Sequence, residues 1–383
     1  PLRPLILQPV AAPYGACRAL LRAIEAMPRE QVRPLVVFPY AGAAIAEYEA
    51  AGCDTVIREL AVLRRSSAGV AGLVRLVRDS RRTGRELAEL ARREGCDLIH
   101  SNSMTIVSGV HAAYVADIPH VWQLREAPRE TGFRRFALRL LLRQADCVLA
   151  VSRAAARTVA RGEARVIHDG YDLPQARGAR EVEPLEPLEP VGAPGEFVVG
   201  MLGRISPTKS QHLAVEALGL LARGGHERVR LVIAGEVYPG YEGYRDEQVV
   251  ACAQSLGVGD RVDLLGWVNE PEPLLQQLDA LVIATGAGEG FGGAALEALA
   301  HGVPVVSSAT GGIEELIIDG VTGLVCRPDD PEAIADALAL LIDDDELRGR
   351  LAAAGREHAA KFTVEQCATK LYAAWRSVLS KRR

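Results

Sequence analysis

The stretch from Leu281 to Val303 constrains this chain most. An apolar run, Leu281 to Ala284, stops at the glycine-rich turn TGAGEGFGG, Thr285 to Gly293, and an Ala/Leu-rich segment then runs to His301-Gly302. This reads as a strand, a turn and a helix. The glycines let a ligand approach the backbone closely. The helix that starts near Gly292 points its first N–H groups and the positive end of its dipole at whatever sits there. Two carboxylates frame the turn, Glu289 in the loop and Glu297 on the helix, and a GGIE turn at Gly311 to Glu314 follows. A plain connection between strand and helix needs nothing so polar.

The same alternation fills the chain. Strand-like runs lie at Leu5–Gln8, Leu35–Phe38, Leu98–His100, His120–Gln123, Cys147–Val151 and Val166–His168, separated by helical stretches such as Arg81–Arg93. After a Pro/Glu-rich break it restarts at Phe197–Leu202, Val229–Ala234, Val262–Leu265, Ala280–Ala284, Val303–Ser307 and Leu324–Cys326. Such a pattern predicts α/β architecture, with parallel sheets covered by helices on both faces and ligands at the carboxyl ends of the strands. Polar residues gather at those ends: Ser101, Asn102 and Ser103, then Arg125 and Glu126, Ser152 and Arg153, and Asp169 and Gly170.

A chain of 383 residues suits two such domains. The predicted division is a first domain over 1–174, a linker over 175–195 and a second domain over 196–363, with a cleft between the halves. The final helix, 364–383, is expected to pack back on the first domain.

Charge divides unevenly. Up to Asp172 there are 25 arginines, no lysine and 18 acidic residues, a balance of +7, and the remainder stands at −12. A basic half attracts an acidic acceptor or a membrane surface, or is a set of solvated helix faces. No nucleic-acid partner is expected. No apolar run approaches the roughly 20 residues of a membrane span. The seven cysteines lie far apart without a CxxC pair, which predicts reduced thiols and a cytoplasmic setting. No signal-peptide pattern opens the chain, and its start at Pro1 without a Met leaves a trimmed N-terminus open.

A second chemical signal is GRISPTKSQHL from Gly203. Ser206 reads as an N-cap and Pro207 as a first helical residue, which would place Lys209 in the first turn and Arg204 at the strand end. Lysine occurs only at 209, 361, 370 and 381, so Lys209 stands apart from the C-terminal three. Arg204 and Lys209 converging on a helix N-terminus suit a diphosphate leaving group. The alternative is an ordinary surface pair beside a helix start.

With these residues in view, the chain resembles a retaining glycosyltransferase of family four, with the GT-B architecture of two Rossmann-like, doubly wound domains facing across a cleft. The resemblance covers essentially the whole chain. The family's Glu-x7-Glu signature matches Glu289 and Glu297, and its phosphate-binding pair matches Arg204 and Lys209. The segments at Val151, Val166, Gly311-Gly312 and VTGLVCRPDD also resemble family landmarks.

The resemblance implies that Glu297 accepts hydrogen bonds from the nucleotide's ribose and that Trp267 and Val268 meet the base edge. Glu289, Gly290 and the N–H groups of Phe291, Gly292 and Gly293 would hold the donor sugar, and Gly15 would let the first domain's loop approach the diphosphate. Arg204, Lys209 and Glu289 are the expected catalytic residues. No metal and no cofactor would be required. The implied partners are a nucleotide-sugar donor, UDP-linked as a first expectation, and a small-molecule, glycan or lipid-linked acceptor. The sequence departs from the family where HVWQLREAP puts Arg125 and Glu126 in place of a frequent His-Asp pair. Arg125 cannot serve as a base, so Arg125, Glu126 and Asn102 are expected to bind acceptor or sugar. Ser210 replaces a usual Gly after the phosphate Lys, and the first loop has one Gly where relatives often have two.

Two further stretches carry expectations. FRRFALRLLLRQAD from Phe133 is a basic amphipathic helix, either packed on its own sheet or making peripheral contact with the inner membrane face. Asp343 to Asp345 precede ELRGRL and are expected to cap that helix. The predicted activity is metal-independent, retaining transfer of a hexosyl group from a nucleotide-diphosphate sugar to a hydroxyl. The alternatives are a GT-B epimerase or phosphorylase-like enzyme and a non-catalytic nucleotide-sugar-binding protein.

Overall fold

A computed structural model of the chain describes residues 1–63, 69–126, 139–159, 163–172, 189–285, 288–308 and 310–381. It divides into two compact units, one of Pro1–Gly170 with Phe362–Arg383 and one of Tyr171–Lys361. The first unit ends at Gly170, a few residues before the expected boundary. Of the expected linker, 175–188 lies outside the described residues, whereas 189–195 belongs to the second unit, where the Val191 N–H donates to the Gln277 side chain at 2.9 Å.

The first unit is a seven-stranded parallel sheet in the order β3-β2-β1-β4-β5-β6-β7. Its strands are β1 Pro4–Leu7, β2 Leu35–Phe38, β3 Asp54–Ile57, β4 Leu98–Ser101, β5 His120–Leu124, β6 Cys147–Ala150 and β7 Ala164–Val166. Central strands read as unbroken apolar runs because both of their faces are covered. Ile6, Val36, Phe38, Val121 and Leu149 point to the side packed by helix α1 (Gly15–Glu25) and by the final helix, Val364–Ser380, through Leu371 and Trp375. Leu5, Leu7, Leu35, Val37 and Ile99 point the other way, under helices spanning Val70–Arg93 and Ser108–Ala116.

The sequence reading missed β3. This edge strand pairs with β2 alone and is only half-buried, so it carries Asp54 and Thr55 without an apolar run. Arg3 reaches it with a 2.8 Å bond to Asp54. Strand β7 lies two residues before its predicted position, where it pairs with β6.

The second unit is a six-stranded parallel sheet in the order β10-β9-β8-β11-β12-β13. These strands are β8 Phe197–Leu202, β9 Val229–Ala234, β10 Val262–Gly266, β11 Ala280–Ile283, β12 Val305–Ser307 and β13 Gly323–Val325. Its core joins Met201, Ile233, Val282 and Val306 to Leu213, Leu218, Ile334 and Leu338 from the covering helices. Asp344 caps the helix Asp345–Ala359 by accepting from the Leu347 N–H at 2.7 Å, the role expected of the aspartate triple. Among the described residues no helix is long and apolar enough to cross a membrane. Residues 133–138 of the basic stretch from Phe133 lie outside the described residues; further along it Leu142 is fully buried and Leu140 is 45% exposed.

Candidate active site

Each sheet has one place where successive strands leave in opposite directions. In the second unit it lies between β8 and β11, and a crevice outside the carboxyl ends of two such strands is where open α/β sheets bind ligands. Gly203 and Arg204 follow β8, while Thr285, Glu289 and the turn into the helix Gly293–His301 follow β11. The topology alone thus brings the two sequence signals together, although 80 residues separate Lys209 from Glu289.

The expected helix start at Ser206 is not what forms. Residues 206–210 make a turn in which the N–H groups of Lys209 and Ser210 donate to the Ser206 carbonyl at 3.0 and 3.3 Å. Ser210 takes a left-handed conformation, and the helix begins only at Gln211. The Gln211 side chain holds this loop open. Its oxygen accepts from the Ser206 N–H at 3.3 Å, and its amide donates to the Arg204 carbonyl at 3.0 Å. The Ser206 hydroxyl meets Thr208 at 2.9 Å. Lys209 therefore leaves a loop, not a helical turn, and its ammonium reaches Glu289 Oε2 at 2.7 Å.

Glu289 is held from several sides. The Thr285 hydroxyl donates to it at 3.3 Å, and its backbone bonds Thr310 and Gly312 at 2.6 and 2.7 Å. Burial pushes its carboxyl up, but the charge and hydrogen bond of Lys209, the Thr285 hydroxyl and the charge of Arg204 outweigh this and hold it below the usual carboxylate range. The Arg204 guanidinium lies 4.7 Å from the centre of the Tyr238 ring, a cation–π contact that orients it.

Glycines make this geometry feasible. Gly292, with φ +101°, opens the helix Gly293–His301. A Cβ on Gly312 would collide with the Gly290 carbonyl, and one on Gly235 with the Gly203 carbonyl. The four groups expected at the donor thus line one edge: Trp267 after β10, Arg204 after β8, Glu289 after β11 and Gly292-Gly293 at the helix start. Glu297 lies one turn into that helix, half-buried, and Trp267 donates to Asn269 at 3.0 Å. Thr285, Gln211 and Tyr238 were not singled out by sequence. Only their tertiary partners give them a role. Gly286 and Ala287 lie outside the described residues.

In the first unit the corresponding crevice lies between β1 and β4. Gln8 follows β1 and Asn102 follows β4, and the Asn102 amide donates to the Gln8 side chain at 2.9 Å across it. Gly15, exposed at the start of α1, borders the same end, and a Cβ there would meet nothing. Arg125, expected to bind sugar or acceptor, is buried and engaged inside the unit: it donates to Asp169 at 2.7 Å and to Asn102 at 3.4 Å. Glu126 accepts from the Ser103 hydroxyl at 2.6 Å. His120 sits wholly within the core and bonds Ser101 at 3.0 Å. Among the described residues no three His, Cys, Asp or Glu side chains converge as a metal set.

Comparison with known proteins follows this division. The model for glycosyl transferases group 1 matches residues 189–358, and that for glycosyltransferase family 4 matches residues 14–175. A D-inositol 3-phosphate glycosyltransferase of Corynebacterium efficiens is 30% identical over 309 residues, 74% of this chain and 72% of that protein. One of Corynebacterium urealyticum is 31% identical over 65% of this chain, and the alignment spans 61% of the relative's own length. The fold matches Anabaena HepE, solved with UDP and glucose, with a TM-score of 0.80 at 23% identity over 98% of this chain and 100% of that one. It also matches sucrose-phosphate synthase of Thermosynechococcus elongatus, with a TM-score of 0.74 at 19% identity over the whole of both chains. The two parallel α/β units are those of a GT-B protein, and the chain belongs to the family 4, group 1 glycosyltransferases.

Proposed function

We propose that this chain transfers a hexosyl group from a nucleoside-diphosphate sugar to an acceptor hydroxyl, with retention of anomeric configuration and without a metal ion. One observation carries the reading: Arg204 and Lys209 stand with the Glu289 carboxylate at the switch point of the second sheet, beside the N-terminus of the helix Gly293–His301. A guanidinium, an ammonium and the first N–H groups of a helix together suit a diphosphate.

In this reading the bond between the anomeric carbon and the phosphate oxygen breaks as negative charge grows on the departing diphosphate, and Arg204 and Lys209 meet that charge. Only the part of this stabilisation that grows in the transition state accelerates the step. As Lys209 turns to the phosphate, Glu289 is released to accept hydrogen bonds from sugar hydroxyls. The acceptor oxygen attacks from the face the nucleotide leaves, forms the new glycosidic bond and gives its proton to the departing phosphate. Glu297 binds the ribose, and Trp267 and Val268 meet the base. A UDP-sugar is the proposed donor, in line with the nucleotide in the HepE structure. The free cysteines fit a reducing, cytoplasmic setting.

Calorimetry with UDP, GDP, ADP and dTDP, each alone and as a sugar conjugate, tests the donor site on wild type and Glu297→Ala. Binding of one nucleotide class that the variant loses is the expected result. Well-folded protein that binds none of them overturns the reading.

A further inference from the structure

The helix Val70–Arg93 has two unlike halves. From Thr83 onward it packs on the first sheet through Leu87, Ala88, Leu90 and Ala91. Before that, none of the side chains from 71 to 82 is buried. Among the side chains this half exposes are three large apolar ones: Leu73 is 56% exposed, Val74 63% and Val77 44%. These residues fall on one side of the helix at i, i+1 and i+4. Leu73 and Val77 share a crevice with Tyr114, which is 82% exposed. Surface apolar residues scattered singly need no explanation, but a contiguous row does.

Arginines flank the row. Residues 70–86 contain Arg75, Arg78, Arg81, Arg82 and Arg85 against Asp79 and Glu86. Arg82 is held by Glu59 and Glu86, and Arg78 lies against Asp79 at the surface. Long cationic side chains beside exposed leucine and valine suit the boundary between phosphate headgroups and acyl chains, where the stems lie along apolar surface and the guanidinium groups reach phosphate. A second copy of the chain fits this face poorly, since a two-fold contact would set arginine against arginine.

Topology adds a reason for the location. Residues 61–63 run beside Thr105–Val107, with the Leu63 N–H on the Thr105 carbonyl at 2.8 Å and the Val107 N–H on the Ala61 carbonyl at 3.0 Å. The helix Val70–Arg93 then descends to the start of β4. Its exposed half therefore lies at the carboxyl end of the sheet, the end that carries Asn102 and Arg125.

We infer that Leu73, Val74 and Val77, flanked by Arg75, Arg78 and Arg81, form a docking surface for an anionic phospholipid bilayer, which would bring that end of the first unit against the lipid headgroups. The test is co-sedimentation of the full chain with vesicles of phosphatidylcholine alone or mixed with phosphatidylglycerol, at low and high salt. The mixed vesicles are expected to bind about tenfold more tightly, and salt to weaken the binding. The triple variant Leu73→Ser/Val74→Ser/Val77→Ser should lose about tenfold. Arg78→Gln and Arg81→Gln should each lose about fivefold and lower the salt dependence. All these positions are exposed, and circular dichroism on each variant reports the helix directly.

Absence of vesicle binding, or equal binding to both vesicle types that the triple variant leaves unchanged, overturns the inference. So does a concentration-dependent dimer in sedimentation velocity that the triple variant abolishes, which would assign the face to a second copy. Vesicle binding is read without nucleotide, so its failure leaves the glycosyl-transfer reading untouched.

Discussion

The Lys209 ammonium stands 2.7 Å from the Glu289 carboxylate and ties the loop after β8 to the loop after β11. Both side chains keep part of their surface open, 29% and 20%, so an entering ligand can exchange partners with either. In the proposed reaction this pair holds the cation that meets the departing phosphate, with its charge compensated by Glu289.

Removing the ammonium should therefore affect turnover more than folding. Lys209→Ala is expected to lower turnover on the order of 100-fold. Because the pair is partly exposed, unfolding free energy should change by about 1 kcal/mol or less. Steady-state kinetics and urea unfolding on the same preparation check both. A stability loss without a change in turnover would make the pair a structural clamp.

The glycines of the two turns are not equivalent. Gly312→Ala would drive a Cβ into the Gly290 carbonyl, backbone that cannot move aside, and should cost about 2 kcal/mol or more. Gly293→Ala meets open space at the first residue of its helix and should leave stability unchanged. Thermal unfolding of the two variants in parallel gives the comparison.

Arg125 offers a different contrast. Its side chain is 4% exposed and that of Asp169 14%. Arg125→Ala should destabilise the chain by about 3 kcal/mol because it strands a carboxylate in a dry place. Arg125→Met with Asp169→Leu should recover most of that loss. Guanidinium unfolding measures it, and full stability in Arg125→Ala would refute the internal role.

Two histidines make stability depend on acid. His100 accepts from the Trp375 indole N–H at 2.9 Å and meets Gln123 at 3.0 Å, and His120 lies next to it in the sheet. Burial pulls both imidazoles down to about 3; at His100 the Gln123 contact opposes this and the charge of Arg125 adds to it, and at His120 the neighbouring His100 adds to it. An unfolded histidine takes its proton near pH 6.5, so between there and about 3 the unfolded state binds more protons. Stability is full above pH 6.5 and falls on acidification, by up to about 1.4 kcal/mol per pH unit for each histidine. Urea midpoints from pH 7.5 down to 4.5 should follow this slope, and a flat profile would contradict the burial.

Much of this was written locally in the chain. Strand β8, β9 and β2 boundaries could be read directly, since strands covered on both faces must be apolar throughout, and Gly292 marked a helix start that only a residue tolerant of positive φ could open. Glu289, Arg204 and Lys209 stand out in the sequence as charged residues beside turns, and the fold brings the three to one crevice.

Tertiary structure decided what pairing and burial control. Strand β3 was invisible because an edge strand answers to its neighbour and not to its own hydrophobicity. The turn at 206–210 replaced an expected helix because Gln211, folded back, satisfies the loop's backbone groups. The fold sets Asp169 beside Arg125, 44 residues on in the chain, a pairing that no local pattern announces. The exposed half of the helix Val70–Arg93 had the periodicity of any helix. Only the extent of the sheet, which ends before it, determines which apolar residues find a core and which are left facing outward.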